Sequence, residues 1–210
     1  MNPHTKEKLA LLTPKEAHQI LVEGNQRFVQ NLKANRDLQK QVLATSHGQF
    51  PFAIILSCID SRVPVELVFD QGIGDVFSVR VAGNVVNKDV LASMEYACKV
   101  TGSKIVVVLG HTSCGAVTAA CKGVKMGHVT GLLEKIQPAI DQCQKEDTNF
   151  VCNYKNKEIV DHVAVENIHH SIARIRSESP ILAELEKNGT IEIVGAMYSV
   201  QTGQVDFFDF

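Results

Sequence analysis

Phe52-Ala53-Ile54-Ile55-Leu56-Ser57-Cys58-Ile59-Asp60-Ser61-Arg62 is the stretch that decides the fold. Its first half is short, apolar and rich in β-branched residues, with no polar alternation. Such a run reads as a strand buried on both faces of a parallel sheet. Its second half sets a thiol, a carboxylate and a guanidinium within five residues, where packing alone would not ask for polar groups. A second stretch repeats the pattern. Lys104-Ile105-Val106-Val107-Val108-Leu109-Gly110 runs into His111-Thr112-Ser113-Cys114, and His111 lies fifty-three residues beyond Cys58. Ligand sites in open parallel sheets gather at the carboxyl ends of strands, so two strands can deliver Cys58 and His111 to one rim. Gly110 is expected to let the chain turn sharply after the second strand. Cys114 is expected in the first turn of a helix beginning near Ser113, where free N–H groups and the helix dipole favour a thiolate.

Cys58, His111 and Cys114 together offer two sulfurs and one imidazole, with Asp60 and Arg62 beside them. Three protein ligands with a fourth position open is the arrangement of a catalytic zinc site, not a structural one. Soft sulfur with borderline imidazole suits Zn2+. Such a metal lowers the pKa of a bound water toward ~7, and the hydroxide is the nucleophile to expect. Two thiolates donate more charge than neutral ligands do, so activity is expected to rise toward alkaline pH. A single cysteine on its own more often means packing than ligation; the charged pair is what tips the reading toward a site.

Beyond these clusters the chain resembles the β-class carbonic anhydrases. Cys58-Ile59-Asp60-Ser61-Arg62 with His111-Thr112-Ser113-Cys114-Gly115 carries the resemblance, and the match extends from about Thr13 to the C-terminus. It includes Thr13-Pro14-Lys15-Glu16-Ala17, Gly24-Asn25-Gln26-Arg27-Phe28, Val79-Arg80-Val81-Ala82-Gly83-Asn84, Ser93-Met94-Glu95-Tyr96-Ala97, Gly195-Ala196-Met197-Tyr198 and Thr202-Gly203-Gln204-Val205. The resemblance implies one α/β domain spanning 1–210: a central, mostly parallel sheet of four strands with a fifth added at the edge, flanked by helices. It also implies an N-terminal helical arm at about 13–34 that packs on a neighbouring subunit; the plainer alternative is packing on its own domain, and the sequence does not choose between them.

The implied reaction is reversible hydration of carbon dioxide to bicarbonate by attack of zinc-bound hydroxide. Cys58, His111 and Cys114 would be the metal ligands. Asp60 would orient the hydroxide, or bind zinc itself and close the site, and Arg62 would pair the aspartate in the open state. The plainer reading of that pair is a salt bridge that ties down a loop. Gln49 would hydrogen-bond substrate. Gly115 would allow close approach of the helix to the zinc rim, or serve simple helix packing. A homodimer or homotetramer is implied, with the site at a subunit boundary. One subclass carries an inhibitory bicarbonate site around a tryptophan three residues before the first cysteine. This chain has Ile55 there and no tryptophan, so that site is expected to be absent in its usual form. Two rivals remain: a carbon disulfide or carbonyl sulfide hydrolase on the same scaffold, and a non-catalytic, zinc-stabilised assembly module.

The remainder of the sequence bounds these readings. A 45% hydrophobic share is ordinary for a globular chain of 210 residues, and a net charge of −2 suggests neither a nucleic-acid nor a membrane partner. No run approaches the ~18 apolar residues of a membrane helix. The first eight residues do not resemble a secretory signal, so a reduced cytoplasm is expected. There Cys98 and Cys121 would be packing residues, while Cys143 and Cys152 could bridge only under oxidising conditions. Thr13, Pro14 and Glu16 form a capping box that starts the first helix. Helical spacing runs from Val90 to Cys98 and stops at Gly102. Residues 158–176 and 181–187 also read as helices. Strands are expected over 75–80, 191–198 and 204–210, the last two joined by a hairpin at Gln201-Thr202-Gly203. Among the remaining histidines none has a spacing that ties it to the site; His47, near Gln49, is the one to consider as a proton shuttle.

Overall fold

The structure is a computed structural model that describes residues 4–208. Short helices α1 (Lys6–Leu11), α2 (Pro14–Val29) and α3 (Leu38–Thr45) precede β1 (Ala53–Ser57), α4 (Val65–Val68) and β2 (Val76–Arg80). Then come α5 (Lys88–Glu95), β3 (Ile105–His111), α6 (Gly115–Cys121), α7 (Gly127–Leu133), α8 (Gln137–Glu146), α9 (Lys157–Glu178), α10 (Pro180–Lys187), β4 (Glu192–Tyr198) and β5 (Val205–Phe207). The strands form one sheet in the order β2-β1-β3-β4-β5. Every pairing is parallel except β4 with β5. The expected four parallel strands with an added edge strand are present. Asp209 and Phe210, the end of the last expected strand, lie outside the described residues.

The apolar runs become central strands because both of their faces are covered. Ala53, Ile55, Ile105, Val107 and Leu109 pack on Ala17 and Leu21 of α2 and on Val65 and Val68 of α4. Ile54, Leu56, Val106 and Val108 pack on α5, on Ile168, Ile172 and Ile175 of α9, and on α10. A third cluster lies beyond the strand ends, where Cys58 and Cys114 join residues of α6, α8 and α9.

α2 begins at the capping box the sequence announces, with Thr13 accepting from the Glu16 N–H and Glu16 accepting from the Thr13 N–H. Its inner face is buried within its own chain. Gly24 lies so close to the Phe69 carbonyl that no Cβ would fit there. Asn25 is fully used, donating to the carbonyls of Val68 and Gly203 and accepting from the Val205 N–H. Behind α2, buried Asp70 takes Nε of Arg27 on one oxygen and Nη1 of Arg36 on the other, both at 2.6 Å. The Ala34 N–H also donates to it.

Two local expectations are corrected, those for Gly110 and Cys121. Gly110 lies inside β3, not at a turn, and a Cβ there would meet Ile168 of α9 at 2.6 Å; its smallness lets α9 approach the sheet. The expected stop at Gly102 is present, at φ 92°, with α5 passing through a π-helical turn over Tyr96–Thr101 to reach it. Cys121, at the end of α6, is disulfide-bonded to Cys152, with a Cα–Cα separation of 5.3 Å. Cys143 cannot be that partner because α8 turns it into the third core cluster, where it is buried and free.

Candidate metal centre

β1 and β3 are neighbours, with Ser57 opposite Leu109, so their carboxyl ends finish nearly level. Cys58 follows β1 and His111 is the last residue of β3. The chain then reverses through Ser113, a non-glycine residue at φ 54°. That turn sets Cys114 at the N-cap of α6, one residue ahead of the helix and not within its first turn. One ligand atom from each of Cys58, His111 and Cys114 lies within 4.8 Å of the others, and all three residues are buried.

The donors are prepared for a cation. His111 Nδ1 lies 3.0 Å from the Thr112 carbonyl oxygen. A carbonyl only accepts, so the proton belongs on Nδ1 and the Nε2 lone pair is free to ligate. Nε2 is buried and has no hydrogen-bond partner, a costly state without a ligand. The two sulfurs lie close enough to shift each other's acidity. Accepting from Cys114 brings Cys58 down to about 4 against the opposing effect of burial, aided by His111 and the Gly83 N–H. Cys114, beside that negative sulfur and buried, is held above the ordinary thiol range although the N–H groups of Val117 and Ala116 favour its charge. A dication among these three atoms would satisfy both sulfurs and the imidazole, so the residues fit a metal of the thiolate-and-imidazole class.

Asp60 stands outside this trio. Arg62 grips it at two points, Nε to Oδ1 at 2.9 Å and Nη2 to Oδ2 at 2.7 Å, and the Arg62 N–H adds a third contact to Oδ1. This grip, outweighing partial burial, holds the Asp60 carboxyl well below the usual carboxylate range. Asp60 Oδ2 lies 4.0 Å from His111 Nε2, facing the place a metal would occupy without joining the ligands. Arg62 reaches back to the Ser113 carbonyl at 3.3 Å, linking the two clusters.

Sequence reasoning missed two supports. Arg80, ending β2, donates to the carbonyls of Cys58 and Asp60. The Gly83 N–H donates to Cys58 Sγ at 3.3 Å. An arginine at a strand end was the available signal for the first; nothing in the spacing pointed to the second. Gln49 and His47 do not reach the site in this chain. Both are exposed ahead of β1, and Gln49 lines a 490 Å³ groove with Lys6, Tyr96, Val100 and Lys104. That is the opposite end of β1 from Cys58, about 13 Å or more away at ~3.3 Å per strand residue. A Cβ on Gly115 would meet no protein atom within 4 Å, so close packing does not explain this glycine.

A mostly parallel α/β sheet with a buried Cys-His-Cys trio at its carboxyl rim has the donor set of a catalytic type of metal centre. The carbonic anhydrase family model matches residues 53–205. Carbonic anhydrase 2 of Mycobacterium tuberculosis is 34% identical over 200 residues, covering 91% of each chain. The carbonic anhydrase of Mycolicibacterium smegmatis is 35% identical, covering 92% of each. Among solved structures, the β-carbonic anhydrase CcaA superposes with a TM-score of 0.73 at 27% identity, covering 91% of this chain and 95% of that one. The chain belongs to the β-carbonic anhydrase family.

Proposed function

We infer that this chain is a carbonate dehydratase, catalysing the reversible hydration of carbon dioxide to bicarbonate and a proton with zinc as its metal. The observation that carries the reading is the convergence of Cys58, His111 and Cys114 around an unpartnered Nε2, with Asp60 held beside them by Arg62. Zinc bound by these three residues supplies Lewis-acid activation of water at neutral pH. Asp60, ionised and facing that position, accepts a hydrogen bond from the nucleophile and orients it. Arg62 keeps the carboxylate turned away from the ligand set; its planar fork makes a two-point grip that a lysine cannot reproduce. Release of that grip would let Asp60 become a fourth ligand and close the site.

Gln49, exposed at the far end of β1, serves substrate only if it comes from a second copy of the chain. A dimer or tetramer is therefore part of the proposal, as is one domain over 1–210 with a helical arm near 13–34. Exposed Leu32, Leu38 and Leu43 beside α2 and α3 support a covered face there. Two β-carbonic anhydrases of Sordaria macrospora with this fold are described as tetrameric. We assign the protein to the cytoplasm. The Cys121–Cys152 bond counts against that assignment, and a thiol count on protein isolated under alkylation decides it. Among the described residues no helix is long and apolar enough to cross a membrane.

Stopped-flow carbon dioxide hydration over a range of pH, with and without a zinc chelator, tests the function. Turnover that rises with pH and disappears on chelation is expected. A negligible rate on carbon dioxide alongside turnover of carbonyl sulfide or carbon disulfide would replace the reading with the hydrolase.

A further inference from the structure

Two turns that meet the sulfur donors, one leading into Cys114 and one touching Cys58 Sγ, are in left-handed backbone, and one helix bonds to both. On the Cys114 side the turn residue is Ser113, at φ 54°. On the Cys58 side it is the pair Gly83 and Asn84, at φ 67° and 43°, whose first member gives its N–H to Cys58 Sγ. A serine or asparagine in this region is strained and persists only where its surroundings hold it.

Beside the Arg62 contact to the Ser113 carbonyl, four holding groups come from α9. Asp161 Oδ1 accepts the Ser113 N–H at 2.6 Å. Asn167 Nδ2 donates to the Gly83 carbonyl at 2.8 Å, Ser171 Oγ to the Asn84 carbonyl at 3.4 Å, and Arg174 Nη1 to the Val86 carbonyl at 2.8 Å. Asn167, Ser171 and Arg174 stand at i, i+4 and i+7, one stripe of a helix, and they meet the carbonyls of 83, 84 and 86 in the same order. Asn167 and Ser171 are buried. Gly110, where a Cβ would strike Ile168, lets the same helix lie against β3, which ends in the ligand His111.

We propose that Asp161 and Asn167 are positioning residues of the metal centre: through α9 they fix two strained turns, and so set the spacing of the two sulfur donors before any metal arrives. The inference rests on the metal reading of the trio. It does not depend on which reaction the loaded protein performs. Groups that orient ligands from outside the ligand set typically change metal affinity by ~10–100-fold when removed.

The test uses the full-length chain loaded with Co2+. It reads affinity by competition with a chromogenic chelator and site geometry by the thiolate-to-cobalt charge-transfer absorption. Asp161→Ala and Asn167→Leu should each weaken cobalt binding by ~10–100-fold and alter the charge-transfer bands. Asp161→Asn keeps an acceptor oxygen for the Ser113 N–H, so it should bind close to the natural protein. Arg176→Ala is the control. It removes the Arg176–Glu186 pair from the same helix, away from the trio, and should lower the thermal midpoint without changing affinity or spectrum. Asp161 is only half-buried, so the Asp161 pair decides the matter even if Asn167→Leu fails to fold. Natural affinity and spectrum in Asp161→Ala would overturn the proposal. So would an equal loss of affinity in Arg176→Ala, since α9 would then act only through general stability. A natural chain that takes up no cobalt would overturn both this proposal and the metal reading beneath it.

Discussion

Two aspartates in this molecule are gripped by arginine, and they differ in what the grip is for. Asp70 is buried and answers to Arg27, Arg36 and the Ala34 N–H, joining α2 and the segment after it to the end of α4. Burial pushes its carboxyl upward, but the Arg27 contact and the others outweigh it and hold it below the ordinary 3.8. Asp60 answers to one arginine two residues away, whose side chain is 49% exposed. The first pair cannot part without exposing buried charge. The second can part with the fold intact. A carboxylate meant to work needs a partner that water can replace; a carboxylate meant to fasten does not.

Asp70→Ala should be the most damaging substitution to stability. Removing one member of a buried cluster typically costs ~3–5 kcal/mol because the remaining charges are left unpaired. Urea unfolding reads this loss, and a change below ~1 kcal/mol would erase the distinction between the two aspartates. Asp60→Asn should do the reverse. Hydration turnover should fall by ~100-fold or more, the scale of removing a group that stabilises developing charge. Stability should move by under ~1 kcal/mol, as for an exposed pair, with the metal retained.

Arg62→Lys sharpens the contrast further. One point of a two-point grip is lost, a charge-assisted hydrogen bond of ~1.5–3 kcal/mol in full, so turnover should fall by about tenfold with an unchanged thermal midpoint.

Acid reads the buried cluster when the natural protein is compared with Asp70→Ala, because the depressed Asp60 carboxyl is common to both. The folded pKa of Asp70 is depressed, so its stabilisation is fully present above the ordinary value of 3.8 and is lost as pH falls below it. Unfolding free energy should decline with acid below about pH 4 in the natural protein, and less steeply in Asp70→Ala. Smallest of all, Gly115→Ala meets open space. It should leave turnover unchanged and shift stability by no more than ~0.5–1 kcal/mol, in the favourable direction of helix propensity; a large loss of metal would show that the space is needed.

The sheet and the trio were legible because their signals are local. Ile105 to Leu109 can be little else than a doubly covered strand, and the residues just past Leu56 and Leu109 inherit the rim. The Thr13–Glu16 box is likewise complete within four residues. What escaped depends on distant contacts. Nothing near Asp70 says that Arg27 and Arg36 will both reach it. Gly110 looked like a turn because the side chain that forbids a Cβ there, Ile168, lies fifty-eight residues on. Cys121 looked inert because its partner comes from the loop ahead of α9. Gln49 sits nine residues before Cys58, and only an extended strand between them shows that nearness in sequence has become separation in space.

Adjacent strands in matched register have one more consequence. The distance from Cys58 to His111 is fixed by strand spacing and by how far each chain runs past its last pairing, not by the chain between them. The crossover from 63 to 103 thus carries no information about donor geometry beyond Arg80 and the 82–86 turn. A sensor peptide or affinity tag spliced into its solvent-facing parts would leave the coordination sphere intact, making this segment a natural port for engineering.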